Sequence, residues 1–358
     1  MKAMLLGAGV GERMFPLTLS LPKPAIPVLG RPIALQILRQ LGKAGVDEAV
    51  LNLHHLPEVL PKLLGDGRDQ ALPRIHYSHE ETILGTAGGV RKAADRLAGS
   101  DPIVVINADS LSEVDLGAAV DHHRRSQMLA TLVLAPHRDA YSRVDVDAQG
   151  RIISLAGRPE VDAERRAASF LFTGCQIIAE ELLHGIPADA RCLVRDVYRN
   201  LAAEGRLGSF VHEGFWWEFG SPKLYLEGSL RLLDLLRSGD DGIVDHDPVR
   251  HVDQAVAAVG AGAKFHDDAR FVGRAGLGFA SYVSGGCAVQ DSVVMPEAWV
   301  GPDCRLTRAV VGPGAEIPAG FTGENLLLCA DRLRDAQCPP GVTRRDGLLI
   351  HRFDAGSR

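Results

Sequence analysis

One run of spacing in the last third of the chain restricts its fold more than any other feature. Val259, Phe265, Phe271, Leu277, Val283 and Val289 stand six residues apart without a miss. After one five-residue step the series resumes at Val294, Val300 and Leu306, and after a second at Val311 and Ile317. Four residues after most of these stands a small side chain: Ala263, Ala269, Ala275, Ser281, Cys287, Ala298, Cys304 or Ala315. A helix repeats every 3.6 residues and a half-buried strand every two. A period of six describes one flat face of a triangular β-solenoid, with the apolar residue inside the prism and the small one near its corner. The spacing therefore predicts a short parallel β-helix of fewer than four coils, in which Cys287 and Cys304 are packing residues.

The first 240 or so residues read differently, as alternating strands and helices. Residues 2–6 form an expected strand, 32–44 a helix ending at Gly45, 49–53 a strand, and 86–97 a helix. Ile103-Val104-Val105-Ile106 is an unbroken apolar run, the mark of a strand buried on both faces. Helix 116–125 and strand 129–134 follow. Such alternation predicts an α/β domain, a mostly parallel sheet covered by helices with ligands at the carboxyl ends of its strands. A helix over 222–236 runs into Ser238-Gly239-Asp240-Asp241-Gly242, a polar, glycine-rich linker. The expected domains are 1–240 and 241–358.

Composition removes several classes of function. The net charge is -6 and no run of Lys or Arg offsets it, so general nucleic-acid binding is not expected. No apolar stretch has the length of a membrane span. The first residues enter a strand and a glycine turn, which does not suit a signal peptide. Six cysteines (175, 192, 287, 304, 329, 338) are scattered without a C-x-x-C pair, as in a protein of the reducing cytoplasm. The pairs His54-His55 and His122-His123 point in divergent directions on a strand or helix and read as surface or packing residues.

The stretch 5–28, LLGAGVGERMFPLTLSLPKPAIPV, carries the chemistry. Gly7, Gly9 and Gly11 after a buried strand allow backbone N–H groups to close around phosphate oxygens. A dinucleotide-binding turn is the obvious competitor, but its third glycine would fall at Glu12 and its helix is forbidden by Pro16, Pro22, Pro24 and Pro27. What remains is a stiff loop presenting Arg13 and Lys23, a forked cation and a compact one, both suited to phosphate.

This stretch resembles the signature of nucleotide-sugar pyrophosphorylases, L-A-A-G-x-G-x-R-x-x-P-L-T followed by P-K-P-x-x-P-V. Leu84-Gly85-Thr86-Ala87-Gly88-Gly89 is similar to that family's base-binding loop, Asn107-Ala108-Asp109 to its N-G-D metal motif, and Trp217-Glu218-Phe219-Gly220-Ser221-Pro222 to its W-x-D-x-G-T-P segment. A left-handed β-helix after a Rossmann-like catalytic domain also occurs in the family, notably among mannose-1-phosphate guanylyltransferases. The resemblance implies an enzyme that joins a nucleoside triphosphate to a sugar 1-phosphate, with magnesium as cofactor. It implies that Arg13 stabilises departing pyrophosphate and Lys23 the phosphates near the reacting centre. Leu6, Ala8, Gly9, Gly11, Gly85, Thr86 and Gly88 would line the nucleotide. Asp109 would hold the metal with Glu218, where the family has Asp. Glu80 stands at the family's base-edge position; a carboxylate accepts only, which suits guanine, although a solvated loop acid is as good a reading.

The sugar site departs from the pattern. The family's Y-G reads Tyr141-Ser142, its E-K-P reads Gly157-Arg158-Pro159, and its N-x-G reads Phe172-Thr173-Gly174. Arg158 can replace a lysine on phosphate and Gly174 is retained, but two polar sugar contacts are gone. The start MKAMLLGAGVGERM is similar to uridylyltransferases acting on an amino-sugar phosphate, so GTP with a mannose-like sugar and UTP with an amino sugar both stand. Two other classes stay open: a regulatory relative that binds nucleotide-sugar without turnover, and an acyltransferase using the solenoid, for which His266 is the one histidine in the repeat. The solenoid is expected to join copies into a homo-oligomer. The tail after about Gly320 matches nothing.

Overall fold

The computed structural model describes residues 1–239, 244–333 and 336–353. Linker residues 240–242, the expected boundary at 240/241 and the tail from residue 354 lie outside the described residues. Two compact units are present. The first comprises Met1–Val10 and Ile37–Trp216; the second comprises Gly11–Gln36 and the chain from Trp217 onward. The proline-stiffened loop thus groups with the solenoid rather than with the strand that precedes it.

The first unit is built on a nine-stranded sheet. Its strands are β1 (Lys2–Leu6), β2 (Glu48–Leu53), β3 (Arg74–His79), β4 (Ile103–Asn107), β5 (Ala130–Pro136), β6 (Arg143–Val146), β7 (Ile152–Leu155), β8 (Ala168–Ile178) and β9 (Leu207–Val211). The order is β7-β6-β8-β4-β1-β2-β3, with β5 also on β8 and β9 on β5. The block β4-β1-β2-β3 is parallel, whereas β8 runs antiparallel to β4, β5 and β6. Ala3, Met4, Leu5, Val104 and Val105 are fully buried, which is why these strands read as unbroken apolar runs. Helices α1 (Ile33–Lys43), α2 (Gly85–Lys92) and α3 (Leu116–Ser126) fall where the apolar periodicity put them. The helix expected over 86–97 is divided, because the Ala93 amide is shared between the Gly89 and Val90 carbonyls and tightens the turn.

The second unit contains the solenoid. Strands Gln254–Val259, Arg270–Leu277, Ala288–Val294, Arg305–Val311 and Thr322–Ala330 stack in parallel on one face. Lys264–Phe265, Tyr282–Val283, Trp299–Val300 and Glu316–Ile317 form a second ladder. Gln254 faces Val272, eighteen residues on, while Ala288 faces Arg305, seventeen on, so the five-residue steps are shortened coils. Phe271, Val283, Val294, Val300, Val311 and Ile317 are fully buried, each contributing about 1.5–3 kcal/mol by burial. The small partners Ala275, Ala298, Cys304 and Ala315 are buried beside them. Phe265, in the first strand of the second ladder, is only partly covered and stacks edge-on against Phe271.

Corners stack as well. Gly262, Ala280, Glu297 and Gly314 form one column with positive φ, and Gly273, Asp291, Arg308 and Asn325 another. Where no glycine stands, the turn carries its strain and is held by bonds between coils, such as Arg308 Nε donating to Asn325 Oδ1 at 3.0 Å.

Both ends of the main ladder are closed by reversed strands. Val249–Val252 pairs antiparallel with the first strand, and a hairpin of Val342–Arg345 and Leu348–Arg352 pairs antiparallel with the last. Helix α4 (Pro222–Arg237), capped by Ser221 and opened by Pro222, crosses the outer surface of the first four parallel strands. Asp234–Arg274 and Glu227–Arg308 ion pairs, 2.9 and 3.3 Å, flank that contact.

Candidate active site

At the carboxyl end of β1 the chain becomes a glycine turn whose first amide is fixed. Gly7 N–H donates to Asn52 Oδ1 at 2.7 Å, and Asn52 Nδ2 donates to Glu80 Oε1 at 2.7 Å. The second oxygen of Glu80 accepts from Leu84 N–H at 2.9 Å. Glu80 is only 1% exposed, so the reading as a solvated loop acid is corrected: its carboxylate is buried because two donors neutralise the cost of burial. It ties the glycine turn to the loop preceding α2. Leu6 closes β1 and Ala8 is buried, whereas Gly9 is exposed and a Cβ there would meet no protein atom within 4 Å.

Asp109 follows β4 directly. Ala108 N–H donates to the Leu6 carbonyl at 3.1 Å, which sets the Asn107–Asp109 corner beside the start of the glycine turn, and Asp109 is half-buried. Gly174 lies in the bulge of β8, with φ +85°; a Cβ would sit 2.7 Å from Asn107 Nδ2. The fold therefore brings Leu6, Asp109 and Gly174 to one end of the sheet.

The glycines around α2 have protein neighbours. A Cβ on Gly85, whose φ is +75°, would collide with the Arg191 carbonyl, and one on Gly88 would lie 2.8 Å from Leu84 Cβ. Thr86 Oγ1 accepts from Leu193 N–H at 2.9 Å, and Asp196 receives both the Arg191 and Cys192 amides at 2.8 Å. Those two amides hold the Asp196 carboxyl below the usual carboxylate range. The 191–196 segment and Leu84 are by themselves enough to require glycine at 85 and 88.

In the second unit the loop brings Lys23 back over Gly11. Gly11 has φ +76°, and the stem of Lys23 crosses it so closely that a Cβ would lie 3.0 Å from Lys23 Cγ. Arg13 sits two residues on, in a 3-10 turn over Glu12–Met14, anchored by the buried Met14 and Leu17. Its guanidinium donates to Glu218 Oε1 at 2.8 Å; Arg13 is 64% exposed and Glu218 19%. Any side chain at Gly220 would collide with that carboxylate. Glu218, expected as a metal carboxylate, is here engaged by Arg13.

The expected sugar-site residues all lie in the first unit. Arg158 is exposed on a turn closed by hydrogen bonds to Leu155 in both directions. Tyr141 stacks edge-on against Trp216 at 5.1 Å, Arg138 lies over the same ring, and Trp216 Nε1 donates to the Thr173 carbonyl at 2.8 Å. Asn52 and Trp216 escaped the sequence reading. The only available signal for Asn52 was a polar residue inside the otherwise apolar AVLNL strand.

A sheet with a central parallel block and a glycine turn after its first strand, followed by a hexapeptide solenoid, defines the class: the chain belongs to the nucleotidyl transferase family, which it matches over residues 2–234. Residues 246–337 match a second description, GlmU-like, C-terminal hexapeptide, in agreement with a left-handed β-helix. The chain is therefore a nucleotidyltransferase. Among named proteins it is similar to a mannose-1-phosphate guanylyltransferase of Mycobacterium tuberculosis, 29% identical over 89% of this chain and 81% of that one. It is also similar to the mannose-1-phosphate guanylyltransferase catalytic subunit beta of Xenopus tropicalis, 31% identical over 66% of each chain. A probable mannose-1-phosphate guanylyltransferase 3 of Oryza sativa subsp. japonica is 30% identical over the same shares. No helix among the described residues is long and apolar enough to cross a membrane.

Proposed function

We propose that this enzyme transfers the guanylyl group of GTP to mannose 1-phosphate, or a closely related hexose 1-phosphate, and releases pyrophosphate. The observation that carries the reading is the loop 11–23, which folds Lys23 over Gly11 beside Arg13 and so concentrates two cations on one stiff element. The names of the relatives support guanosine and mannose over uridine and an amino sugar. In the reaction an oxygen of the sugar phosphate attacks the α-phosphorus in line, and the bond to the β-phosphate oxygen breaks. Both reactants are anions, so alignment and charge neutralisation dominate. Arg13 takes the developing charge of the leaving pyrophosphate, with its guanidinium kept in place between turnovers by Glu218. Lys23 neutralises the phosphates near the reacting centre. Gly9 has no protein neighbour that excludes a side chain, which suits a backbone left bare for phosphate.

Among the described residues no three His, Cys, Asp or Glu side chains converge as a cage. A half-buried carboxylate after a central strand fits magnesium, which takes one or two carboxylates with phosphate oxygens and water. Asp109 would hold it, with Glu218 as the second candidate, and the ion would supply charge neutralisation on the triphosphate. We also propose a cytoplasmic protein, since all six cysteines are free thiols. Self-association would use the solenoid, where Tyr282 and Trp299 stand adjacent on an outer row between Lys264 and Glu316.

The test is pyrophosphate release with each of four nucleoside triphosphates against a panel of sugar 1-phosphates. GTP with mannose 1-phosphate is expected to be the fastest pair; a faster UTP reaction would overturn the substrate. Arg13→Ala should lower turnover about a hundred-fold or more, the scale of a preorganised charge partner. Asp109→Asn should abolish turnover in a protein that still melts cooperatively.

A further inference from the structure

The tail after Gly320 matched nothing in the sequence, yet it ends against the loop that carries Arg13. Across the outer surface of the main ladder, Ala258, Gly276, Val293, Val310, Leu327 and His351 stand opposite one another, rung by rung. The first five are small or apolar and buried. His351, on the hairpin strand Leu348–Arg352, is the one polar member of the row and is half-buried. Its Nδ1 lies 2.9 Å from the carbonyl oxygen of Phe15, 336 residues earlier in the chain. A carbonyl accepts only, so Nδ1 carries the proton and donates.

Phe15 closes the turn that bears Arg13. Met14 N–H donates to the Gly11 carbonyl at 2.9 Å and Phe15 N–H to the Glu12 carbonyl at 3.1 Å, so residues 11–15 form one short rigid turn. That turn is gripped twice within the second unit: by Glu218 on the Arg13 guanidinium and by His351 on the Phe15 carbonyl. The rest of its row shows that packing alone would accept an apolar side chain at position 351. A donor there serves the carbonyl.

We propose that His351 is a positioning residue: the C-terminal hairpin of the solenoid fixes the turn of Arg13 through the Phe15 carbonyl, and the solenoid thereby sets the aim of the leaving-group cation. The proposal rests on the reading of Arg13 given above. Losing one hydrogen bond to a preorganised loop is worth about tenfold in rate. The charge on pyrophosphate develops in the transition state, so the loss falls on kcat and not on the KM of the triphosphate.

The experiment is a double-mutant cycle in the full chain, read by steady-state kinetics. His351→Phe should lower kcat about tenfold with the KM of the triphosphate within twofold of wild type. His351→Asn, whose amide can donate from nearly the same place as Nδ1, should recover most of the loss. In an Arg13→Ala background His351→Phe should cost nothing further, because the group it aims is gone; a defect in folding alone would multiply with Arg13→Ala instead. A multiplicative loss, or a His351→Phe enzyme as fast as wild type while Arg13→Ala is crippled, overturns the inference and leaves the role of Arg13 standing. An Arg13→Ala enzyme of normal turnover removes the role of Arg13 itself. If His351→Phe does not fold, His351→Ala takes its place in the cycle under the same requirement.

Discussion

The solenoid and the α/β unit solve the burial problem at different ranges. Each inward residue of the solenoid packs on its counterparts seventeen or eighteen positions away, so one apolar residue in six, repeated, states the whole structure. In the α/β unit the decisive links run between residues with no periodic relation: Gly7 to Asn52, Asn52 to Glu80, Thr86 to Leu193. Periodicity specifies a scaffold; unique long-range polar bonds specify where chemistry can be placed on it. The contrast implies that damage to the inward rows of the solenoid is felt as lost stability and damage to the polar relay as lost activity.

The largest effect belongs to the solenoid. Phe271→Ala empties a fully buried site flanked by Phe265 and the neighbouring rungs, and should cost about 3–5 kcal/mol in denaturant unfolding. A loss under 1 kcal/mol would mean that the coils are not the cooperative stack described. Next comes a titration in the α/β unit. His123, 4% exposed and bonded to Thr131 Oγ1 at 2.8 Å, has its pKa lowered to about 4, chiefly by burial, with Asp101 opposing and His122 and Arg124 assisting. Between pH 6.5 and 4 the unfolded chain binds a proton there that the folded one refuses. Stability should therefore fall as the solution is acidified across that window, by about 2 kcal/mol once partial solvent screening is allowed for. His123→Gln should flatten that part of a stability–pH curve.

Asn52→Ala sharpens the comparison most directly. It leaves the Gly7 amide and one Glu80 oxygen without their shared partner, at about 1–2 kcal/mol. We expect turnover to fall about tenfold while the melting of the solenoid is unchanged; equal losses in both would blur the division drawn above. The smallest effect is Thr86→Val, an isosteric change that removes only the acceptor for Leu193 N–H, at about 1 kcal/mol, visible as faster amide exchange at Leu193.

How much of this was legible follows the same division. The inward row of the solenoid, the buried strand 103–106 and the stiff glycine–proline loop could all be read directly, because hydrophobic spacing and glycine–proline content are local. The corner columns were invisible, since Ala280, Glu297 and Arg308 adopt positive φ without the glycine that would announce it. Glu80 was misjudged as a possible surface acid because one of its two donors, the Asn52 amide, lies twenty-eight residues earlier in the chain. The packing demand for glycine at 85 could not be read, because the Arg191 carbonyl that excludes a side chain there comes more than a hundred residues later. The hairpin 342–352 gave no signal: its apolar core, Leu348-Leu349-Ile350, is too short to separate strand from helix.

The reversed strands that close both ends of the prism give its height a meaning. Repeats elsewhere lengthen freely, since each new coil needs only its neighbour. Here one inserted coil would carry the hairpin about 4.8 Å farther along the stack, well past hydrogen-bonding reach of the Phe15 carbonyl. The number of coils thus behaves as a ruler, cut to one length by what lies at its far end.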